Sequence, residues 1–394
     1  SKRWSNILPK TNWVKCKSQL LKIDMKKRLL FATIGFLLIL STEYSKADEF
    51  KTFALETKGI KIEINSKLEL FHIMAYLGKS NYLNNFDFKY KSDINTFFAL
   101  NKNDNSIQFI KKVLENYHAH LSINGLFFDS NFKKDTSFIQ FLQLDNFGLP
   151  NTLINKSIIL DSLNHAVESF AKVSQFDKFV ENHQGYYHQK IDEVAREISG
   201  LEMIKDFETF WGTKKDNYTI IITLLEQDIH AYWFTSSNKP NCVFFLSPKF
   251  VVDNDAKFGN SDITILREGK MAAKDYIYYG ATHEIGHSFL NPIMGNYVKQ
   301  IDQIPFKYST ADPSKITFLC ESFLRSLTAY FLIKNKYDDF AQMVIQGEKQ
   351  QGYIYNEIIV DLIKDYANNR NNYKTFNDYV PVFLDKLKQK VENK

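Results

Sequence analysis

His283 and His287 stand four residues apart, and Glu284 directly follows the first of them, in the segment His-Glu-Ile-Gly-His. In an α-helix, side chains at positions i and i+4 lie one above the other on the same face. Two imidazoles in this arrangement can bind one Zn²⁺ at about 2.0–2.1 Å each. A glutamate beside them can accept a proton from a water molecule at the metal. The segment therefore predicts a zinc site with Glu284 as a general base.

The residues around this motif favour a helix. Between residues 271 and 290 apolar and aromatic side chains recur at helical spacing, so that one continuous face includes both histidines. Asn291 and Pro292 predict the end of the helix, because the residue before a proline is disfavoured in the α region. Gly280 and Gly286 each cost about 0.5–1 kcal/mol inside a helix, and the close approach of a neighbouring element or of a substrate would explain them. The alternative is a buried amphipathic helix with two incidental histidines.

A zinc site of this kind needs a third protein ligand and leaves a fourth position to water. No histidine follows His287, which excludes the long motif with a third downstream histidine. The third ligand is therefore acidic, or it is a histidine from upstream. Glu321 is the best acidic candidate, because it and Arg325 are the only charged residues between Lys315 and Lys334. A carboxylate in so apolar a segment has to be paired, bound to a metal or neutralised.

The segment around Glu321 predicts a second helix, with Asp312 as its N-cap and Pro313 in its first position. Arg325 follows Glu321 by four residues, so a simple ion pair within the helix is the alternative to metal binding. The two hypotheses are compatible, because Arg325 could orient Glu321 by hydrogen bonding.

Several segments resemble a known family. The segments H-E-I-G-H-S-F-L-N-P (283–292) and C-E-S-F-L-R-S-L-T-A (320–329) resemble the exported bacterial family called domain of unknown function 4932. Residues 68–77 are similar to the N-terminal region of that family, and residues 351–357 and 365–381 are similar to its C-terminal region. The order of the HExxH motif and a later glutamate also resembles the gluzincin branch of zinc metallopeptidases.

The resemblance implies an α+β, mostly helical, zincin-like metallopeptidase fold with a small sheet, an HExxH helix and a helical C-terminal subdomain. By position it implies that His283, His287 and Glu321 hold Zn²⁺ and that Glu284 is the catalytic base. We expect these residues to hydrolyse a peptide or protein substrate through attack of an activated water on the carbonyl.

The chain offers no downstream histidine as a proton donor to the transition state, so a tyrosine such as Tyr353 or Tyr355 would have to serve. The missing histidine and the 15% aromatic content support an alternative function, whereas the intact HExxH motif disfavours it, because Glu284 has no necessary role in purely structural metal binding. In that alternative, the protein is a catalytically silent exported zincin-fold protein that binds a glycan or a peptide.

The N-terminal part of the chain predicts export. Residues 25–28 carry three basic side chains, residues 29–40 are apolar, and Ser45 and Ala47 offer small side chains for cleavage before Asp48. Twelve apolar residues are too few to span a bilayer, which takes about 20. We therefore expect a signal peptide at residues 25–47, an upstream extension at residues 1–24, and a periplasmic or secreted protein without a stable membrane span.

Removal of this segment changes the charge balance. The whole chain has a formal net charge of +5, but residues 48–394 contain 40 Lys and Arg against 43 Asp and Glu. The basic character thus belongs to the targeting segment, and binding to nucleic acid is not expected. Only Cys242 and Cys320 lie in the remaining chain. A disulfide between them is possible in an oxidising compartment, but two buried thiols are favoured.

The remaining 347 residues exceed the usual size of one domain, so two lobes are expected. We place an N-terminal, mainly helical domain at residues 48–215. A zincin-like catalytic domain with C-terminal helices is placed at residues 216–394.

Three segments have the pattern of strands. Ile60, Ile62 and Ile64 alternate with polar residues, which predicts a strand or hairpin near the start of the domain. Residues 219–225 and 241–246 are rich in β-branched and aromatic side chains and are predicted to form strands just before the zinc-binding helix.

Overall fold

The computed structural model describes residues 50–80, 83, 87–117, 153–226, 230–236, 239–246, 273–308, 314–335 and 338–393. The predicted upstream extension and signal peptide, at residues 1–47, lie outside the described residues. The described strands are β1 (Thr52–Thr57), β2 (Ile60–Asn65), β3 (Asn217–Ile222), β4 (His230–Ser236) and β5 (Lys239–Leu246).

The helices of the first half are α1 (Ser66–Leu77), α2 (Lys89–Phe97), α3 (Asn105–Tyr117), α4 (Leu153–Val173), α5 (Phe176–Ile198) and α6 (Met203–Trp211). The helices of the second half are α7 (Ala273–Met294), α8 (Val298–Asp302), α9 (Lys315–Lys334), α10 (Asp338–Gln350), α11 (Asn356–Asn368) and α12 (Phe376–Glu392). The described residues confirm the predicted mostly helical α+β class with a small sheet.

The strands form one mixed sheet in the order β1-β2-β3-β5-β4. The strands β1 and β2 form an antiparallel hairpin. Its two loop residues, Lys58 and Gly59, both have positive φ, and such a two-residue loop matches the twist of paired strands. The strands β2, β3 and β5 are parallel, with Ile220 paired to Ile62 and to Phe244. The strand β4 runs antiparallel to β5 at one edge of the sheet.

The sheet crosses the position at which two domains were predicted to meet. The strand β2 belongs to the first predicted domain and β3 to the second, yet they are paired neighbours. Three consecutive isoleucines of β3, Ile220, Ile221 and Ile222, are buried, as expected for a parallel strand that is covered on both faces. The two predicted regions therefore share one sheet.

The helix α7 lies between the sheet and the C-terminal helices. It packs against β4 and β5 on one side and against α9 on the other, and α9 in turn packs against α10 and α11. Trp211 at the end of α6 stacks on Phe289 of α7, with ring centroids 5.5 Å apart, and contacts Phe323 of α9. This aromatic packing fixes α7 against α9.

Among the described residues, one helix, α9, is long and apolar enough to cross a bilayer. Of its most apolar window, 67% is buried inside the protein, so its composition matches a core helix. The helix begins at Lys315, and its N-cap is Ser314, whose hydroxyl accepts a hydrogen bond from the backbone N–H of Thr317. The predicted N-cap at Asp312 is therefore wrong by two residues, because Ser314 provides this contact.

The predicted end of the HExxH helix at Asn291 is also wrong. The helix α7 continues through Pro292 to Met294. A proline at position 292 lacks the N–H that would bond the carbonyl oxygen of Ser288. The Nζ atom of Lys215 donates to that oxygen at 2.8 Å. A side chain from outside the helix thus replaces the missing backbone donor, and the helix continues.

The strands predicted at residues 219–225 and 241–246 correspond to β3 and β5. The strand or hairpin predicted from the alternation of isoleucines is the hairpin of β1 and β2. The strand β4 was not predicted, although Tyr232, Trp233 and Phe234 give it the aromatic content of a strand.

Candidate metal centre

The centre is built from one turn of α7 and one turn of α9. His283 and His287 lie on the same face of α7, and their ring centroids are 5.0 Å apart. The Nε2 atom of His283 lies 3.3 Å from Oε2 of Glu321, and the Nε2 atom of His287 lies 3.2 Å from Oε1. The structure therefore brings together the three residues that were predicted as ligands.

A glycine allows the two helices to come close. Gly286 is buried, and a Cβ atom at this position would overlap with the side chain of Leu324 on α9. Gly286 lies between the two histidines in sequence, and Leu324 lies three residues after Glu321. The close approach that was considered for Gly286 is thus confirmed, and the absence of a side chain there keeps the imidazoles within reach of the carboxylate.

The charges of the centre complement one another. Burial disfavours the ionised form of Glu321, but hydrogen bonds from His283 and His287 outweigh burial and hold the pKa of this carboxyl well below its ordinary value. Burial also opposes a charged His287, yet the hydrogen bond and the negative charge of Glu321 raise its pKa above the ordinary value. The carboxylate thus stays ionised between two imidazoles, as a metal ligand has to be.

The second nitrogen of His287 also has a partner. Its Nδ1 atom lies 3.2 Å from the amide oxygen Oδ1 of Asn291, one turn further along α7. Nδ1 can donate its proton to Asn291 while Nε2 donates to Glu321, and loss of the Nε2 proton then leaves a lone pair on Nε2 for a metal ion. The continuation of α7 past residue 290 thus provides a contact that orients this imidazole.

Arg325 forms an ion pair with Glu321, as predicted from their spacing of four residues. The Nη2 atom of Arg325 lies 3.5 Å from Oε2 of Glu321, and its Nη1 atom lies 2.5 Å from Oε2 of Glu348 on α10. The guanidinium also lies over the ring of Tyr353, 4.3 Å from its centroid. The ion pair within the helix and the meeting of Glu321 with both histidines occur together, so the two hypotheses for Glu321 are indeed compatible.

Glu284 follows His283 on the same turn and is partly exposed. Burial raises the pKa of the Cys242 thiol on β5 to about 11, and the negative charge of Glu284 contributes to this shift. Glu284 therefore lies close enough to β5 for its charge to act on Cys242.

Cys242 and Cys320, the two cysteines among the described residues, are free and buried. Burial raises the pKa of the Cys320 thiol to about 12, and the charge of Glu321 raises it further. The favoured expectation of two buried thiols, without a disulfide, is therefore confirmed.

The two tyrosines considered as proton donors differ in their surroundings. The hydroxyl of Tyr355 accepts a hydrogen bond from the backbone N–H of Lys307 at 2.9 Å, and Tyr355 is only 2% exposed. The ring of Tyr353 stacks on Phe318 with centroids 5.8 Å apart and lies beneath the guanidinium of Arg325. Of the two, Tyr353 contacts the centre through Arg325, and Tyr355 is engaged elsewhere.

The residues fit a zinc ion. Two imidazole nitrogens and one carboxylate oxygen, one atom from each of His283, His287 and Glu321, all lie within 4.8 Å of one another. This donor set suits Zn²⁺, and three protein ligands leave one coordination position for water or substrate. Among the described residues, this is the one cluster of three such side chains with that geometry.

Sequence reasoning did not identify Asn291 or Glu348 as parts of the site, or Lys215 as the residue that supports the end of α7. Asn291 was treated only as a helix end, although its spacing of four residues from His287 could have indicated the contact. Glu348 and Lys215 come from distant segments, and no local pattern distinguishes them from the other charged residues of the chain.

A family model described as Domain of unknown function (DUF4932) matches residues 60–385. No curated protein and no solved structure matches the chain. The matched range contains all the residues of the centre, from His283 to Tyr353. Because the match extends over most of the sequence, the chain belongs to the family Domain of unknown function (DUF4932).

Proposed function

We propose that this protein is a zinc-dependent metallopeptidase that hydrolyses peptide bonds. The observation that carries the proposal is the meeting of His283 and His287 of α7 with Glu321 of α9 around one point. The order of these residues in the chain, and the position of Glu284 beside the first ligand, support a zincin-like arrangement of the helices.

The residues of the centre have three proposed roles: metal binding, proton transfer and orientation of a ligand. His283, His287 and Glu321 would hold Zn²⁺, which when bound supplies Lewis acidity that activates water and polarises the substrate carbonyl. Glu284 accepts the proton that the attacking water loses and passes it to the nitrogen of the leaving amine. Asn291 accepts from Nδ1 of His287 and so favours the tautomer in which Nε2 is free to bind the metal.

The sheet supports a peptide as the substrate. In the described part of the sheet β4 is an edge strand, paired with β5 on one side only. Both strands pack against α7, which carries the histidines. An extended peptide can add to such an edge through backbone hydrogen bonds, and β4 would then hold the scissile bond along the helix that bears Glu284.

Export is part of the proposal. The basic, apolar and small-residue segments of residues 25–47 support a signal peptide, which would place the enzyme in the periplasm or outside the cell. Mass spectrometry of the protein from the native host checks this, because cleavage after Ala47 gives a chain that begins at Asp48.

The central test measures metal content and hydrolysis on three proteins: the wild type, Glu321→Ala and Glu284→Gln. We expect one zinc per wild-type chain, no retained zinc in Glu321→Ala, and full zinc content in Glu284→Gln. With a peptide library, Glu284→Gln should be about 10²–10⁴-fold slower than the wild type. Full activity of Glu284→Gln, or a wild type that takes up no zinc when zinc is supplied, would contradict the proposal.

A further inference from the structure

We propose that Glu348 is a positioning residue of the metal centre, which acts on Glu321 through Arg325. The inference rests on the proposed metal-binding role of Glu321. It adds a residue from α10, a helix that contributes no ligand, and it assigns Arg325 a place between two carboxylates.

The three side chains form a continuous line of alternating charge. Arg325 contacts Glu348 at 2.5 Å through Nη1 and Glu321 at 3.5 Å through Nη2. The carboxylate of Glu348 is 8% exposed, and the side chains of Arg325 and Glu321 are each 22% exposed. The line begins inside the protein at α10 and ends at the carboxylate that both histidines contact.

The position of Glu348 is fixed by packing. The helices α9, α10 and α11 share a cluster of buried side chains formed by Ala329, Ile345 and Val360. Ile345 is 4% exposed and lies one turn before Glu348 on α10. The ring of Tyr353 supports the guanidinium from one face. Arg325 therefore has two contacts besides Glu321, the carboxylate of Glu348 and the ring of Tyr353.

The unequal distances suggest what Glu348 does. A guanidinium that had Glu321 as its only carboxylate partner would form a close pair with it, because a buried charge needs a counter-charge. Such a pair would compete with Zn²⁺ for the same oxygen atoms. Because the shorter contact of Arg325 is with Glu348, Arg325 orients Glu321 without forming the close pair that would compete with Zn²⁺.

The simplest alternative is that Arg325 and Glu348 only join α9 to α10. An ion pair with that role affects stability but has no specific effect on the metal. The two roles can be separated by measuring zinc affinity in a double-mutant cycle, since a residue that acts through Arg325 has no effect when Arg325 is absent.

The experiment compares five proteins: wild type, Glu348→Gln, Arg325→Met, Arg325→Met/Glu348→Gln, and Glu357→Gln as the matched control. Glu357 is a half-exposed glutamate on α11 with a distant lysine partner, Lys349 at 3.9 Å. The zinc dissociation constant is measured by competition with a chelator, and Co²⁺ replaces Zn²⁺ to give an absorption spectrum that reports coordination geometry. Neither readout depends on catalysis.

We expect Glu348→Gln to weaken zinc binding about tenfold or more and to change the Co²⁺ spectrum, whereas Glu357→Gln leaves both unchanged. In the Arg325→Met background, Glu348→Gln should change the dissociation constant less than about twofold. An unchanged dissociation constant in Glu348→Gln, or an equal loss in both backgrounds, would overturn the inference.

If Glu348→Gln does not fold, Arg325→Met/Glu348→Met is compared with Arg325→Met alone. That pair of changes removes both charges together and leaves no unpaired ion in the interior. Equal zinc affinities of these two variants support a role of Glu348 that acts through Arg325. A weaker zinc affinity of the double variant contradicts that role. A wild type that binds no zinc would overturn the proposed function itself, whereas zinc binding that is insensitive to Glu348 would overturn the positioning role alone.

Discussion

Lys215 donates a hydrogen bond to the backbone oxygen of Ser288 at 2.8 Å, at the point where Pro292 removes the regular helical donor. The ammonium of Lys215 also lies over the ring of Phe289, 4.6 Å from its centroid. Burial lowers the pKa of Lys215, yet the contacts with a carbonyl and an aromatic face suit a cation. One lysine from the segment before β3 thus keeps the last turn of α7 helical.

The first prediction follows from this contact. Lys215→Met keeps much of the apolar stem but removes the donor, so the oxygen of Ser288 loses its hydrogen bond. We expect the free energy of unfolding to fall by about 1–3 kcal/mol. Urea unfolding of the wild type and Lys215→Met measures this fall, and Lys214→Met, at an exposed position, is the control that should change little. Equal losses in the two variants would contradict a special role for Lys215.

The second prediction concerns the approach of α7 to α9. Replacement of a glycine by alanine inside a helix normally stabilises it by about 0.5–1 kcal/mol. Gly347 of α10 has open space where a Cβ atom would be placed, so Gly347→Ala should show this gain. At Gly286 the new methyl group would meet the buried Leu324, and overpacking costs roughly 1–3 kcal/mol.

Thermal unfolding of Gly286→Ala and Gly347→Ala therefore tests the close approach of the two helices. We expect Gly286→Ala to be the less stable of the two, and Leu324→Val, which frees space at the contact, to reduce the difference. Equal stabilisation by both substitutions would show that α7 and α9 are further apart than in this structure.

The ligands of the centre were predictable because the signals are local. His283 and His287 are related by the helical period alone. Glu321 stood out because it lies in a helix with only one other charged residue between its terminal lysines. Each inference needed no knowledge of tertiary contacts, and the helices were then brought together as expected.

The features that sequence could not supply depend on partners that are far away in the chain. Pro292 predicts the end of a helix unless a donor replaces its N–H, and Lys215 lies 73 residues before the oxygen that it bonds. Glu348 lies on an amphipathic helix with several charged residues, and only the packing of α10 against α9 directs it to Arg325. Tertiary structure overrides the local rule in the first case and selects one charge among several in the second.

The third prediction concerns the imidazole of His287. Asn291→Ala removes the oxygen that accepts from Nδ1, so the ring loses its fixed tautomer and orientation. We expect zinc to bind about tenfold more weakly. Asn291→Asp offers a charged acceptor in the same place and should bind zinc at least as tightly as the wild type.

The measurement is again competition with a chelator, and Asn296→Ala is the matched control. Asn296 lies two residues after the end of α7 and donates to the backbone oxygen of Pro292 without contacting a ligand. Zinc affinity that is equal in Asn291→Ala and Asn296→Ala would mean that Asn291 does not orient His287.

The last prediction concerns a buried carboxyl on α1, outside the HExxH motif. Glu69 of α1 is 1% exposed, and burial raises its pKa from 4.5 to about 7, although hydrogen bonds from the Tyr90 hydroxyl and the Leu224 N–H oppose the shift. The folded protein thus holds a proton that the unfolded chain has lost between pH 4.5 and pH 7. This contribution to stability is complete below pH 4.5 and is lost as the pH rises to about 7.

Glu69→Gln keeps a neutral side chain of the same shape at every pH. The free energy of unfolding of the wild type, relative to that of Glu69→Gln, should therefore fall as the pH rises from 4.5 to 7, by on the order of 3 kcal/mol. Urea unfolding across this range measures the difference, with Glu115→Gln, at a side chain that is 61% exposed, as the control. A difference between wild type and Glu69→Gln that does not vary with pH would mean that Glu69 is ionised in the folded protein throughout this range.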